Sequence, residues 1–521
     1  MANKNLFKSL AGKLIPATNA VNEENAPAYR FTPKQALAQY AATGCMNQTF
    51  YASAEEQLKN VLALCGQVDA KFIAQTAVFC RERGFMKDMP ALLTAVLSTQ
   101  DPLLLRATFD RVINDGKMIR NYVQIMRSGV VGRKSLGTVP KKLVQRWLET
   151  RSDEALFRAS VGQSPSLADV IKMVHPKPAS KSRAALYAYL IGRNHSAALP
   201  EIIKSFEAFK SGVTKQAPDV PFQMLPALTL SKEQWTDIAR NAPWQMTRMN
   251  LNTFARHGVF EAPGMSELIA ERLRNAEVIR KARVFPYQLM SAYISANETV
   301  PAEVRDALQD AMEIAIQNVP RIKGKVYVCP DVSGSMQSPV TGFGLGATSA
   351  VRCVDVAALV ASAVLRKNPT AEVIPFESNV VHVDLNPRDS VMTNAAKLSS
   401  LPCGGTNCSA PLAWLNSRKA EGDLVIYVSD NESWVDAPHY GRFGGNRTET
   451  MKQWALFKQR NPQARLACMD IQPYATTQAV EREDIVNIGG FSDQVFDVIA
   501  EFAAGRLNAN HWVGVIEAVE L

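Results

Sequence analysis

Apolar and polar positions along this chain follow two different patterns. From about residue 33 to 320 the apolar side chains recur three and four apart, the spacing of helices with one buried face. Thr32-Pro33 supplies a helix cap followed by proline at the first helical position. Ser53-Ala54-Glu55-Glu56 is a capping box ahead of Leu58, Val61, Leu62 and Cys65. Asp101-Pro102 starts another helix, Ser166 caps Leu167 to Val174, and Pro200, Pro263 and Pro301 open more. Roughly fifteen helices of about 10–20 residues, separated by short Gly, Pro and Asn breaks, predict an α-solenoid of antiparallel helix pairs. The prediction rests on helix number and length, because no fixed-period motif is legible. At Arg321-Ile322-Lys323-Gly324 the pattern changes. Predicted strands Val326–Cys329, Glu372–Phe376, Leu424–Ser429 and Arg465–Met469 alternate with predicted helices Val351–Leu365, Met392–Leu398, Glu449–Gln459 and Asp493–Ala503. Short continuous apolar strands between helices indicate a parallel sheet covered on both faces. The predicted fold class is therefore α plus α/β: a helical-repeat domain over residues 1–320 and a Rossmann-like domain over 321–521.

Length and composition agree with this division. A chain of 521 residues exceeds one hydrophobic core. With 47% hydrophobic and 21% charged residues it reads as an ordinary globular protein. Its longest apolar runs, such as Val356 to Val364, are far too short to span a membrane, so no membrane partner is expected. Residues Met1 to Pro16 carry Lys4, Lys8 and Lys13 without a long apolar stretch, which does not suggest secretion. The eight cysteines include no Cys-x-x-Cys pair, and the closest two are Cys403 and Cys408. They are expected to be reduced, mostly buried thiols of a cytoplasmic protein, with no zinc site.

The net charge of +9 is unevenly distributed. Residues 321–521 hold 18 Lys and Arg against 21 Asp and Glu, which leaves residues 1–320 with a net charge of +12. Within 113–183 alone there are 14 basic and 5 acidic residues. An acidic partner is therefore expected to meet the amino-terminal part.

The candidate chemistry starts directly behind the apolar run Val326-Tyr327-Val328-Cys329. Asp331-Val332-Ser333-Gly334-Ser335 places one carboxylate and two hydroxyls at the carboxyl edge of the sheet. Gly404-Gly405-Thr406 adds a hydroxyl on a glycine loop, and a second buried-type strand ends in Asp430. Oxygens of this kind suit one hard divalent cation, for which Mg2+ is the expectation. Ser333, Ser335 and Thr406 are expected as direct ligands, with Asp331 and Asp430 mainly holding its waters. Two carboxylates offset the ion and leave a position open to a ligand oxygen. The set resembles the metal-ion-dependent adhesion site of von Willebrand factor A domains. Gly342-Phe343-Gly344-Leu345-Gly346 lacks nucleotide-loop spacing and reads as a mobile loop near the cation. Ser333 and Ser335 have no nearby His base in sequence, and the six His form no ligand cluster, so no catalytic residues and no enzyme are expected.

Across about 360 residues the chain resembles the Ro autoantigen family, also called TROVE-domain proteins, as a bacterial member. The segments that carry the resemblance include Ser128–Arg133, His175-Pro176-Lys177-Pro178, Lys281–Pro286, Asp331–Met336, Gly404–Ser409, Ser429–Glu432 and Gly490-Phe491. The resemblance implies HEAT-like helical repeats closed into a ring by a von Willebrand A domain. It implies Y-like small noncoding RNA on the ring's outer basic face and single-stranded ends of misfolded RNA in the central hole. That is a monomeric ribonucleoprotein scaffold in RNA quality control, able to engage a ribonuclease or other protein through the A domain. Asn407 departs from the family, where Asp is common, and makes the loop one charge less negative.

The basic residues fit this picture on their own terms. Arg120, Arg127, Arg133, Lys134, Lys141, Lys142, Arg146 and Arg158 lie on consecutive helices and their connections, where stacked repeats would gather them into a phosphate-tracking stripe. His175, with Lys172, Lys177 and Lys181 nearby, is placed to stack on a base or meet a phosphate; the rival role is a helix-capping histidine. Two other functions stand beside RNA binding. One is a protein-interaction module whose cation captures a partner carboxylate, and the other is an accessory subunit like that of a metal chelatase.

Overall fold

A computed structural model describes residues 15–44, 46–194, 197–282, 286–343, 351–435, 447–472, 474–491, 493–507 and 511–521. The described residues form two compact units. The first comprises the amino terminus to Gln67, Ile279–Ser295 and Leu308–Ala518; the second comprises Val68–Val278, Ala296–Ala307 and Val519–Leu521. The change of pattern at 320/321 lies inside the first unit. Its sheet and helices also bury the amino-terminal arm and the helix Pro286–Ser295, which packs on the helix Cys353–Lys367.

In the first unit five parallel strands form one sheet. They are β3 (Val326–Pro330), β4 (Glu372–Val373), β5 (Leu424–Ser429), β6 (Arg465–Asp470) and β8 (Ile485–Gly489), in the order β4-β3-β5-β6-β8. Every residue of β3, β5 and β8 is buried, as expected for strands covered on both faces. The helix Cys353–Lys367 is buried continuously from Cys353 to Leu365. The chain steps from β3 to β4 on one side and resumes with β5 on the other. The β3/β5 boundary is therefore the switch point at which open α/β sheets bind ligands.

A smaller antiparallel sheet joins β1 (Ala20–Val21), β2 (Pro27–Arg30) and β7 (Thr476–Thr477). The helix Pro33–Thr43, with Thr32 and Gln35 closing a capping box, lies against the end of β8. The approach is close enough that a Cβ at Gly490 would stand 2.5 Å from Ala42 O, and Gly490 has φ +81°. Gly490→Ala is expected to lower unfolding stability by about 3 kcal/mol, combining left-handed strain with an overpacked backbone contact. A urea denaturation midpoint indistinguishable from wild type would contradict this.

The second unit is helical. Ala70–Glu82 packs on Asp88–Gln100 and Pro102–Val112, Asp88–Gln100 also packs on Gly116–Ser128, and Thr138–Thr150 packs on Pro102–Val112 and Leu167–Val174. Helices two apart in the chain pack on one another repeatedly, which is solenoid layering. Although no repeat was legible in the sequence, side chains tie neighbouring layers at recurring separations. Arg183 donates to Leu148 O and Arg151 O, 35 and 32 residues back. Arg272 donates to Ala239 O and Arg240 O, 33 and 32 residues back. Trp147 Nε1 reaches Ile113 O, 34 residues back. These donors occupy carbonyls that helix ends leave unsatisfied. The helices are shorter than predicted, running from 6 to 14 residues.

Candidate metal centre and nucleic-acid interface

Parallel register sets up the first site. Val428 pairs with Pro330 and Met469 with Val428, so the three central strands end level with one another. Asp331 and Asp470 therefore stand level with Ser429 at the carboxyl edge, on the strands either side of it, and Asp430 follows one residue beyond. The sequence reading found Asp331 and Asp430; Asp470, also at the end of an apolar strand, was readable by the same rule and missed. Gly334 N–H donates to Gly404 O at 2.8 Å, which ties the Asp-x-Ser-x-Ser turn to the Gly-Gly-Thr loop. Asp331, Ser333, Ser335, Thr406 and Asp430 are all buried, and the structure brings these five together. Ser333 Oγ and Ser335 Oγ are 3.3 Å apart. Asp331 accepts from Ser333 N–H at 2.8 Å and from Ser429 Oγ at 2.5 Å.

Burial sets the electrostatics of this cluster. Burial pushes the Asp331 carboxyl above its ordinary range, opposed by the Ser333 and Ser429 hydrogen bonds. Burial and then Asp331 push Asp430 upward, with Glu24 adding to the rise. Glu432 and Asp470 are also raised well above normal by burial. Among the described residues Asp430 Oδ2 and Glu432 Oε1 are buried without a hydrogen-bond partner. Three hydroxyls, two facing carboxylates and an orphaned carboxylate oxygen fit a hard cation that prefers oxygen. Asn407 faces elsewhere: its Nδ2 donates to Ser378 O, and its Oδ1 accepts from Ser409, at the start of the helix Ala410–Ser417. Of the glycine loop Gly342–Gly346, residues 344–346 lie outside the described residues.

The second site is in the helical unit, where the structure divides the predicted basic stripe. Arg120 donates to Ala159 O and Val161 O, and Arg133 to Ser98 O, so both act as ties between helices. Arg146 pairs with Asp110 at 2.6 Å and Arg158 with Asp219 at 2.7 Å. Arg127, Lys134, Lys141 and Lys142 make no ion pair among the described residues, and these four border one cavity of about 620 Å3. No carboxylate lines it; the rest of the wall is the segment 135–138 with Gln145 and Met173. The helix Thr138–Thr150 begins at this cavity with no side-chain cap, so unsatisfied N–H groups add to the positive potential.

Across from it Gln145 Nε2 donates to Val174 O at 2.6 Å. His175 ends the helix Leu167–Val174 in a left-handed conformation, φ +51°, with its side chain exposed. Its backbone N–H closes the helix on Ile171 O; the backbone, not the imidazole, does the capping. Lys172, Lys177 and Lys181 are exposed around it.

The family described as the Ro60 vWA domain matches residues 325–503. The chain is 23% identical over 551 aligned positions to RNA-binding protein RO60 of Deinococcus radiodurans, covering 97% of this chain and 100% of that protein. It is 21% identical over 296 positions to RNA-binding protein RO60 of Caenorhabditis elegans, covering 54% of this chain and 44% of that protein. The crystal structure of the Deinococcus radiodurans RO (RSR) protein superposes with a TM-score of 0.61 at 19% identity, covering 91% of this chain and 100% of that one.

Proposed function

We propose that the chain is a member of the Ro family and that it binds structured noncoding RNA of the Y type through the helical unit. It acts as a scaffold in RNA quality control and performs no chemistry of its own. The observation that carries the reading is the cavity bordered by Arg127, Lys134, Lys141 and Lys142. Four cations held together without a carboxylate repel one another, and a polyanion relieves that cost while releasing its own counterions. His175, exposed in a strained backbone conformation beside them, suits a base or a bend in the RNA. Single-stranded ends of misfolded RNA are a second ligand of the same reading. No helix of the described residues is long and apolar enough to cross a membrane.

The A domain contributes a Mg2+ site held directly by Ser333, Ser335 and Thr406, with Asp331 and Asp430 acting through water. The ion supplies a Lewis-acidic docking point for a carboxylate oxygen. The cheapest test of the RNA reading is the 260/280 nm absorbance ratio of purified protein before and after a high-salt wash. Co-purifying RNA that salt releases supports it, and its complete absence favours a protein-interaction module.

A further inference from the structure

Three cavities of the described residues differ sharply in charge. The largest, about 1390 Å3, carries Arg158 and Lys215 but also Asp219 and Asp237, so its cations are matched. A cavity of about 480 Å3 in the first unit carries Glu449 and no Lys or Arg. The cavity of about 620 Å3 bordered by Arg127, Lys134, Lys141 and Lys142 carries four cations and no carboxylate. Like charges around one concavity repel one another, and its low-dielectric walls focus their field on whatever enters.

The backbone that carries these cations is fixed. Arg127 stands in the last turn of the helix Gly116–Ser128, which ends on Gly129 at φ +90°. Lys134 rides on the turn between Gly129 and Gly137. That turn is pinned by Gly132 N–H to Gly129 O at 3.0 Å and by Arg133 to Ser98 O at 2.9 Å. Lys141 and Lys142 follow on the helix Thr138–Thr150, whose Gln145 is tied to Val174 O. Little ordering of the chain is left to oppose the binding of an anion.

The shape favours a compact one. Each phosphate of an RNA strand brings one charge, and a whole ribose separates it from the next. In an oligophosphate, neighbouring phosphoryl groups share an oxygen, so several charges enter one concavity together. Lys and Arg make strong, charge-assisted hydrogen bonds to such oxygens, and Arg127 can offer a bidentate fork. We infer that this cavity also binds a free oligophosphate, as a nucleoside triphosphate or a short inorganic polyphosphate, and that this ligand and RNA exclude each other. The inference rests on the RNA reading above for its competitor and adds a ligand that regulates the same site.

The test uses the full chain in EDTA, so that metal chelation plays no part, with inorganic tripolyphosphate and ATP as probes. Isothermal titration is expected to show both probes binding, and both are expected to displace structured RNA further than NaCl does at the same ionic strength. Equal affinities mean that phosphates alone are read; tighter ATP means that the nucleoside fills the rest of the cavity. Lys141→Ala with Lys142→Ala is expected to weaken tripolyphosphate about a hundredfold, and Lys134→Ala alone about tenfold. Lys210→Ala removes the same charge outside the cavity, beside Glu207, and is expected to change neither probe. No binding of either probe, displacement of RNA no greater than by NaCl, or probe binding that survives all three cavity changes overturns the inference while the RNA reading stands. Probe binding that the variants lose, in a protein whose RNA binding they leave intact, keeps the oligophosphate site and overturns the RNA reading of the cavity.

Discussion

Changing Lys141 and Lys142 together to alanine is expected to weaken binding of structured RNA by roughly two orders of magnitude at low salt. Charge-assisted contacts are worth about 1.5 kcal/mol or more each, and each 1.4 kcal/mol is tenfold. Both lysines border the carboxylate-free cavity, and neither has an ion pair to break on meeting a phosphate. The loss should be similar for all RNAs, because phosphate contacts position a ligand without reading its bases. The plot of log affinity against log salt should become shallower by about 0.7–0.9 for each contact removed. Arg158→Ala supplies the internal contrast. Its guanidinium is engaged by Asp219, so its loss should change RNA affinity by less than the loss of either lysine. His175→Ala should cost roughly 1–3 kcal/mol for the preferred RNA and little for others. RNA binding that survives the lysine changes would refute the assignment of the cavity.

That contrast marks where sequence stopped being informative. A count of Lys and Arg in 113–183 is a property of the chain, but free charge is a property of the fold. Arg146 and Arg158 are neutralised by Asp110 and Asp219, the latter 61 residues away. Arg120 and Arg133 are spent on carbonyls one or more helices away. Among the described residues no carboxylate pairs with Lys141 or Lys142, which no local pattern could report.

The sheet was more legible, for a related reason. β5 has the bounds read from its continuous apolar run, and the helix Asp493–Ala503 has those read from its amphipathic spacing. β8 was missed because Asn487 interrupts its run. That amide is buried at no net cost only because Thr477, Ala479 and Glu481 satisfy it. β4 covers only Glu372–Val373, yet Ile374 N–H and Phe376 N–H still donate to Val328 O and Pro330 O, so the contact with β3 runs on to Phe376 as the apolar run suggested, and Pro375 sits where an edge strand tolerates a missing N–H. β1, β2 and β7 are two to four residues long; β1 pairs with β2 nearby, and β2 pairs with β7 across more than 400 residues of sequence. The five residues that sequence did assign were visible because each follows an apolar strand or sits on a glycine loop.

Asp331→Ala is expected to abolish Mg2+ binding while the sheet still folds and RNA affinity is unchanged. The carboxylate holds Ser333 N–H and Ser429 Oγ in place, and its removal disorders the donors while taking away half of the charge that offsets the ion. pH supplies a second axis. In the metal-free protein burial and mutual repulsion hold the Asp331 and Asp430 pKa values above those of the unfolded chain. The folded state therefore keeps protons that the unfolded state has lost. Stability falls as pH rises from the ordinary carboxylate range, near about 4, through the raised folded values. Mg2+ is expected to bind the deprotonated pair, so its stabilising effect should grow over that same window. At a Mg2+ concentration of about 100 times Kd the gain is about 2.7 kcal/mol. Thermal unfolding of wild type should show a larger Mg2+ shift at pH 8 than at pH 5, reversed by a chelator, and Asp331→Ala should show none at either pH. An undiminished shift in the variant would place the ion elsewhere in the chain, and RNA binding lost together with the ion would end the separation of the two sites.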